Sequence, residues 1–147
     1  MKARGGGWIL NLSSATSTRP GPAPYDPKDR AYRFHTTHSP TLYGSTKAAL
    51  ERLSTGMAME LAADHIAVNT LAPVEAVASE GALVSGSIDD LAHMEPVEAM
   101  AEAALALCSR PQAALSGRGA LSLPLLRELG LPVMGLDGRA PLPEFHP

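Results

Sequence analysis

The apolar positions of the chain fall into short runs and longer periodic stretches, and these predict different elements. Residues 8–12, WILNL, form a short apolar run between glycines and serines. Residues 65–73, HIAVNTLAP, alternate in polarity and are rich in β-branched side chains. Both patterns are typical of buried strands, and Pro73 ends the second one. A third strand is predicted over residues 117–124, GRGALSLP.

Two longer stretches carry the period of a helix. Between residues 41 and 63, apolar side chains recur at intervals of three and four, which predicts a helix that packs one face on a sheet. That face consists of Leu50, Leu53, Met57 and Leu61. Residues 95–109, EPVEAMAEAALALCS, predict an alanine-rich helix with proline in its first turn. The segment LLRELG predicts a short helical stretch that ends at Gly130.

The predicted elements alternate as strand, helix, strand, helix, strand, which is the order of a parallel α/β layout. Three strands are few for a parallel sheet, so we expect residues 1–147 to form a single, partial α/β domain. Residues 15–41 are rich in proline and show neither a helical nor a strand period, so we expect a loop insertion. This loop is either a substrate lid or an insertion without that role. The proline-rich residues 131–147 are expected to form an irregular tail.

Composition and charge narrow the range of partners. Hydrophobic residues make up 45% and charged residues 18% of the chain, which is typical of a globular protein. The net charge of −3 provides no basic surface for nucleic acid, so a small molecule or another protein is the expected partner. Cys108 is the only cysteine, and no apolar run is long enough for a signal peptide or a membrane span. We therefore predict a cytoplasmic protein without membrane association.

Candidate chemistry is concentrated in the stretch YGSTK, where Tyr43 precedes Lys47 by four residues. Residues four apart on a helix are neighbours, and an ammonium beside a phenol favours the phenolate, which suits a general acid or base. Ser13 and Ser14 follow the first predicted strand, and in a parallel sheet the strand ends, the helix start and the turn at Pro73 converge at one edge. The spacing alone also fits two ordinary helix residues, but its position between two strands favours the catalytic interpretation.

The segments ILNLSSATS, YGSTK and AVNTLAP, in this order, resemble the short-chain dehydrogenase/reductase family. YGSTK is similar to the Tyr-x-x-x-Lys signature of that family, and ILNLSSATS is similar to its catalytic-serine strand. AVNTLAP is similar to the strand that leads into the family's Asn-x-x-x-Pro-Gly segment, and residues 96–130 resemble its C-terminal helix and last core strand. The resemblance implies the C-terminal half of a Rossmann-like, doubly wound parallel sheet.

The resemblance also implies a role for each matched residue. Tyr43 would donate or accept the proton of a substrate hydroxyl or carbonyl, and Ser14 would orient and polarise that substrate oxygen. Lys47 would favour the ionised phenol and hydrogen-bond the nicotinamide ribose, and Tyr43 would also belong to the cofactor-binding residues. Backbone groups near Pro73 and Val74 would meet the nicotinamide amide. Hydride would then pass between a small alcohol or carbonyl compound and NAD or NADP.

Other parts of the family pattern have no match. The glycines of RGGGW do not follow a strand or open a helix, so the dinucleotide-binding N-terminal half is missing and this chain alone is not expected to hold the cofactor. The interval from Ser14 to Tyr43 is long for the family, and Val74 stands where the family has glycine. His35 and His38 lack a third ligand nearby in the sequence, so no metal site is predicted.

Two hypotheses about function follow from this pattern. The first is a short-chain, NAD(P)-dependent oxidoreductase that interconverts an alcohol and a carbonyl compound, or a truncated fragment of such an enzyme. The second is a catalytically inactive remnant that serves as a binding or interaction protein. In either case the helix over residues 41–63 is a candidate surface for forming a homo-oligomer.

Overall fold

The computed structural model describes residues 1–85 and 94–143, and it contains three parallel strands in one open sheet. The strands are β1 (Gly7–Leu12), β2 (Ile66–Ala72) and β3 (Gly119–Leu121), in the spatial order β1-β2-β3. Both strand pairs are parallel, so the carboxyl ends of the three strands lie at the same edge. The predicted parallel α/β architecture is therefore confirmed.

Five α-helices accompany the strands within the described residues. They are α1 (Arg30–His38), α2 (Thr41–Glu60), α3 (Glu80–Ser85), α4 (Val97–Ser109) and α5 (Ser122–Leu129). Three short 3-10 turns cover Lys2–Arg4, Ala15–Ser17 and Ala62–Asp64. The predicted helices over residues 41–63 and 95–109 are confirmed as α2 and α4, and α5 ends at Gly130, which has a left-handed φ of 62°. None of these helices has the length and apolarity needed to cross a membrane.

The segment over residues 15–41, which we expected to be an irregular loop, contains the helix α1. Asp29 caps this helix, because its side chain accepts a hydrogen bond from the Tyr32 backbone N–H at 2.9 Å. The helix ends at Ser39, which has a left-handed φ of 47° and directly precedes Pro40. No residue of α1 is buried, so the helix lies at the surface, and the prediction that residues 15–41 form an irregular loop is wrong for this part.

The two faces of the sheet are covered by different helices. On one face, Ile66 and Val68 of β2 and Ile9 of β1 pack with Ala58 of α2. The other face belongs to a larger apolar core, to which β2, α4 and α5 all contribute. The buried residues of this core are Leu71, Ala99, Ala103, Leu107, Leu115, Ala120, Leu125, Leu126 and Val133. Val133 lies in the segment that we expected to be a tail, and it anchors part of that segment on the core.

The buried face of α2 matches the predicted one in part, because Met57 and Leu61 pack against the apolar group of Ala58, Ile66 and Val68. The buried residues of this helix are Gly44, Ser54 and Ala58, whereas Leu53 is 57% exposed. The small side chains at these positions let the helix backbone lie close to β1 and to the turn that follows it, whereas Leu53 lies on the solvent side of the helix. The prediction that Leu53 packs on the sheet is therefore wrong.

The strands also differ in burial. All seven residues of β2 are buried, as predicted, because β2 lies between the two other strands. Strand β1, which we expected to be buried, lies at the edge of the sheet, and its residues are half-buried apart from the exposed Leu12. The predicted third strand is shorter than residues 117–124, because α5 begins at Ser122.

Candidate active site

The serine segment and the proline segment meet at the carboxyl edge of the sheet. Leu12 at the end of β1 lies opposite Leu71 of β2, and the Ser13 backbone N–H donates a hydrogen bond to the Leu71 carbonyl at 2.8 Å. Ser14 is the next residue after Ser13, and Pro73 is the first residue after β2. The parallel register thus brings Ser14 and Pro73 to the same edge of the sheet.

Ser14 begins the 3-10 turn Ala15–Ser17 and caps it with its own side chain. The Ser14 Oγ accepts hydrogen bonds from the Thr16 backbone N–H at 3.3 Å and from the Thr16 hydroxyl at 2.9 Å. Serine readily forms such local bonds at the start of a turn. Because Ser14 Oγ is the acceptor for the Thr16 backbone N–H, its own hydroxyl proton can be donated to a substrate oxygen.

Ser13 has a different environment from its neighbour. It is buried, and its hydroxyl donates a hydrogen bond to Glu51 Oε1 at 2.5 Å. The Ser17 hydroxyl donates to the same oxygen at 2.8 Å. The Ser13 hydroxyl is therefore engaged by a carboxylate, which favours Ser14 over Ser13 as the hydroxyl that binds a substrate.

Polar side chains of α2 hold the end of β1 in three consecutive contacts, which we call the polar seam. Asn11 Nδ2 donates to Ser54 Oγ at 2.9 Å, Lys47 Nζ donates to the Leu12 carbonyl at 2.8 Å, and Ser13 donates to Glu51. Residues 47, 51 and 54 are spaced by four and three, so they share one side of the helix. The polar seam explains why this side of α2 faces the sheet although it is not its most apolar side.

Tyr43 and Lys47 face each other on the first turns of α2. The Lys47 ammonium lies 5.5 Å from the centroid of the Tyr43 ring, which is within the range of a cation–π contact. Tyr43 is 52% exposed. Among residues 1–85 and 94–143, no group hydrogen-bonds the Tyr43 hydroxyl, so the phenol is accessible to a ligand oxygen.

Gly44 brings the serine turn against the start of α2. A Cβ atom at Gly44 would lie 2.5 Å from the Thr16 carbonyl oxygen, so only glycine permits this approach. The turn Ala15–Ser17 therefore packs on α2 directly beside Tyr43. A glycine inside a helix is unfavourable by itself, and its presence after Tyr43 was the signal in the sequence for this contact.

The segment after β2 is held by a buried glutamate that the sequence analysis did not select. Glu95 is 3% exposed, and its Oε2 accepts a hydrogen bond from the Val74 backbone N–H at 3.0 Å. The Ser122 hydroxyl contacts both carboxylate oxygens, at 2.7 and 2.9 Å. Burial raises the pKa of Glu95, and the hydrogen bonds from Ser122 and Val74 oppose this effect.

An exposed ion pair joins the same segment to α1. The Arg30 guanidinium donates to the two carboxylate oxygens of Glu75 at 3.1 and 2.6 Å. The two parallel hydrogen bonds fix the orientation of the guanidinium relative to the carboxylate. It connects the region over residues 15–41 with the segment that follows Pro73.

A groove of about 370 Å³ lies between the serine turn, the end of α1 and the first turns of α2. Thr16, Pro20, His35 and Gly44 are among the residues that line it. In the described part of the chain, no group of three histidine, cysteine, aspartate or glutamate side chains is placed to hold a metal ion. His35 and His38 instead lie within ring-contact distance of Phe34.

Solved structures with the same fold are short-chain dehydrogenases and reductases. A short chain dehydrogenase of Mycobacterium thermoresistibile is 28% identical with a TM-score of 0.64, and the match covers 89% of this chain and 41% of that one. Acetoin dehydrogenase YohF from Salmonella typhimurium is 28% identical with a TM-score of 0.58, covering 82% of this chain and 43% of that one. ElxO with NADP bound is 22% identical with a TM-score of 0.60, covering 83% of this chain and 47% of that one.

The chain has the short-chain dehydrogenase/reductase fold. The resemblance inferred from the three sequence motifs is thus supported by structure. The chain spans less than half the length of these solved chains. No family model matches the sequence, and no curated protein matches it.

Proposed function

We propose that this chain carries the catalytic residues of a short-chain, nicotinamide-dependent oxidoreductase that interconverts a small alcohol and a carbonyl compound. The observation that carries this proposal is the arrangement of Tyr43, Lys47 and the Ser14 turn at the carboxyl edge of the sheet. The solved structures of the same fold, which include an acetoin dehydrogenase, support it. NADP in the ElxO structure supports a nicotinamide cofactor, and both NAD and NADP are candidates for this chain.

Each of the three side chains has a defined part in the proposed reduction of a carbonyl. The Ser14 hydroxyl donates a hydrogen bond to the carbonyl oxygen and polarises it. Tyr43 donates its phenolic proton to the same oxygen, and the Lys47 ammonium stabilises the negative charge left on the phenol. When bound, the nicotinamide supplies hydride to the carbonyl carbon. In the oxidation of an alcohol, the same residues act in reverse.

The residues present fit the nicotinamide end of the cofactor better than its phosphates. Lys47 uses one N–H for the Leu12 carbonyl, and an ammonium has two more N–H groups that suit ribose hydroxyls. The Val74 N–H is occupied by Glu95, so a contact between Val74 and the nicotinamide amide would use the Val74 carbonyl oxygen. The described residues contain no glycine-rich turn before a helix that would bind the pyrophosphate.

Partners and location follow from the same proposal. The substrate is a small molecule, and neither nucleic acid nor a membrane is involved. A homo-oligomer formed through α2 is supported by the apolar side chains that this helix exposes: Leu42 is 80%, Leu53 57% and Met59 83% exposed. The single cysteine, which cannot form a disulfide within the chain, supports a cytoplasmic location.

Replacing the proposed proton donor tests this function. The assay uses the chain together with any in-frame polypeptide encoded directly upstream, because the solved chains of this fold are longer. We expect Tyr43→Phe to reduce turnover of small alcohols and ketones by about 10²-fold or more while cofactor binding stays close to normal. Nicotinamide absorbance reports turnover, and cofactor fluorescence reports binding.

Tyr32 offers a matched control for this experiment. It lies in α1, where its ring stacks on Tyr25 at a centroid distance of 5.9 Å, and it has no part in the proposed chemistry. Tyr32→Phe should therefore retain most of the activity. If Tyr43→Phe retains as much activity as Tyr32→Phe, the proposed proton donor is wrong.

A further inference from the structure

A buried carboxylate that the proposed reaction does not use lies beside the candidate active site. The main chain and the side chain of Glu95 bind the same short segment after β2. The Glu95 N–H donates to the Ala76 carbonyl at 2.9 Å, and the Glu95 carbonyl accepts from the Ala78 N–H at 2.9 Å. The side chain adds the hydrogen bond from the Val74 N–H at 3.0 Å. Residues 74–78 are therefore held at several points by one residue.

The same carboxylate also reaches the start of α5. The Ser122 side chain is fully buried, and its hydroxyl donates to Glu95 at 2.7 Å. Glu95 thus joins three regions that are distant in sequence: the segment after β2, the start of α4 and the first residue of α5. Removing a carboxylate from water is unfavourable, so an apolar side chain would fill this position at a lower cost. The carboxylate accepts hydrogen bonds at defined angles, so it fixes the orientation of the backbone and side-chain groups that donate to it.

We propose that Glu95 is a positioning residue, which fixes the backbone at Pro73 and Val74 at the carboxyl edge of the sheet. It binds the segment from the inside, through Val74 and Ser122. The Arg30–Glu75 ion pair binds it from the exposed side. That this backbone meets a nicotinamide amide rests on the proposed function, whereas the fixation of the segment by Glu95 does not.

Backbone amide hydrogen exchange on the 147-residue chain tests the fixation directly. We expect Glu95→Ala to speed exchange at the Val74 amide by about tenfold, because its acceptor is lost. Exchange at Val68 in the centre of β2 should change far less. Glu95→Gln should restore most of the protection of Val74, because the side-chain amide oxygen can still accept this hydrogen bond.

Two further variants separate a positioning role from a general loss of stability. Glu102→Ala removes a half-buried glutamate from the same helix α4, and it should leave exchange at Val74 unchanged. Ser122→Ala removes one hydrogen-bond donor and keeps the carboxylate, so it should speed exchange at Val74 by a smaller factor. If Glu95→Ala does not fold, exchange at Val74 in Ser122→Ala still tests the proposal. The proposal would be overturned if exchange at Val74 stayed unchanged in Ser122→Ala and in any Glu95→Ala protein that folds. It would also be overturned if exchange increased equally throughout β2 and α4.

Kinetics of the chain, assayed together with any in-frame polypeptide encoded directly upstream, test whether the fixed backbone contributes to cofactor binding. Glu95→Ala should raise the KM for the nicotinamide cofactor several-fold with little change in kcat, and Glu95→Gln should restore it. A local change in exchange at Val74 without any change in this KM would leave the positioning role intact and would count against the proposed function.

Discussion

The two faces of the sheet are built from different kinds of contact. On the face covered by α4 and α5, buried leucines and alanines form one continuous apolar core. On the face covered by α2, only a small apolar group is buried, and the polar seam holds the helix to the end of β1. The residues proposed for catalysis all belong to the second face or to the turn beside it.

This difference suggests a division of roles between the two faces of the sheet: one face stabilises the fold, and the other orients the residues of the candidate site. Burial of apolar area is the dominant favourable term in folding, but it does not specify direction. A hydrogen bond contributes only about 0.5–1.5 kcal/mol net, yet it fixes a distance and an angle. We therefore expect the α4 and α5 face to determine the free energy of unfolding, and the polar seam to determine where Ser14, Tyr43 and Lys47 lie relative to one another.

The largest expected effect comes from the apolar core. Leu107 in α4 is 1% exposed, so Leu107→Ala should lower the free energy of unfolding by about 2–5 kcal/mol through lost burial and the cavity left behind. Leu105, in the same helix, is 60% exposed and serves as the control. Leu105→Ala should change the free energy by less than about 0.5 kcal/mol in the same urea titration. Equal losses in the two variants would contradict the assignment of stability to this face.

An intermediate effect is expected at the polar seam. Glu51→Ala leaves the buried Ser13 hydroxyl without its acceptor, which should lower the free energy of unfolding by about 1–3 kcal/mol. Glu51→Gln keeps an acceptor and should cost less. Glu60→Ala, at the exposed end of α2, provides the baseline. A loss in Glu51→Ala as large as that in Leu107→Ala would show that the two faces contribute equally to stability.

The smallest expected effect is a pH dependence of the free energy of unfolding, which arises from the buried carboxyl group of Glu95. Burial raises the pKa of Glu95, so the folded protein keeps a proton that the unfolded chain has already released. This contribution to stability is complete below the unfolded pKa of about 4.3, and it is lost as the pH rises through the folded value. Relative to Glu95→Gln, the wild-type free energy of unfolding should therefore fall with rising pH by at most about 1.4 kcal/mol per unit. Urea titrations across this range measure the difference, and a difference that rises with pH would contradict burial as the dominant influence on this carboxylate.

The order of the elements could be predicted from the sequence because each strand and the main helices carry a strong local pattern. The run WILNL and the alternation in HIAVNTLAP indicated β1 and β2, and the period of residues 95–109 indicated α4. Helix α1 was missed, because residues 15–41 are rich in proline and the helix buries none of its own residues. Its only local signals were the capping residue Asp29 and Pro40 after its end.

Contacts between distant segments could not be predicted in the same way. The leucine spacing in α2 predicted the wrong position for Leu53, because the burial of Ser54 depends on β1 and that of Gly44 on the turn that follows β1. The motif residues of the candidate site were identified by local spacing. Glu95 was not, since its burial requires Val74 and Ser122 to meet it from two other parts of the chain.

Lys47 of the polar seam also limits how far a further strand could pair along the outer edge of β1. Gly7 and Ser13 hydrogen-bond toward β2, so by alternation the backbone groups of Trp8, Leu10 and Leu12 point away from it, along the outer edge. Lys47 occupies the Leu12 carbonyl, the last acceptor on that side. A fourth strand added there would pair with Trp8 and Leu10 and would have to end before Leu12, so the Lys47 ammonium marks the limit of strand pairing on this side of β1.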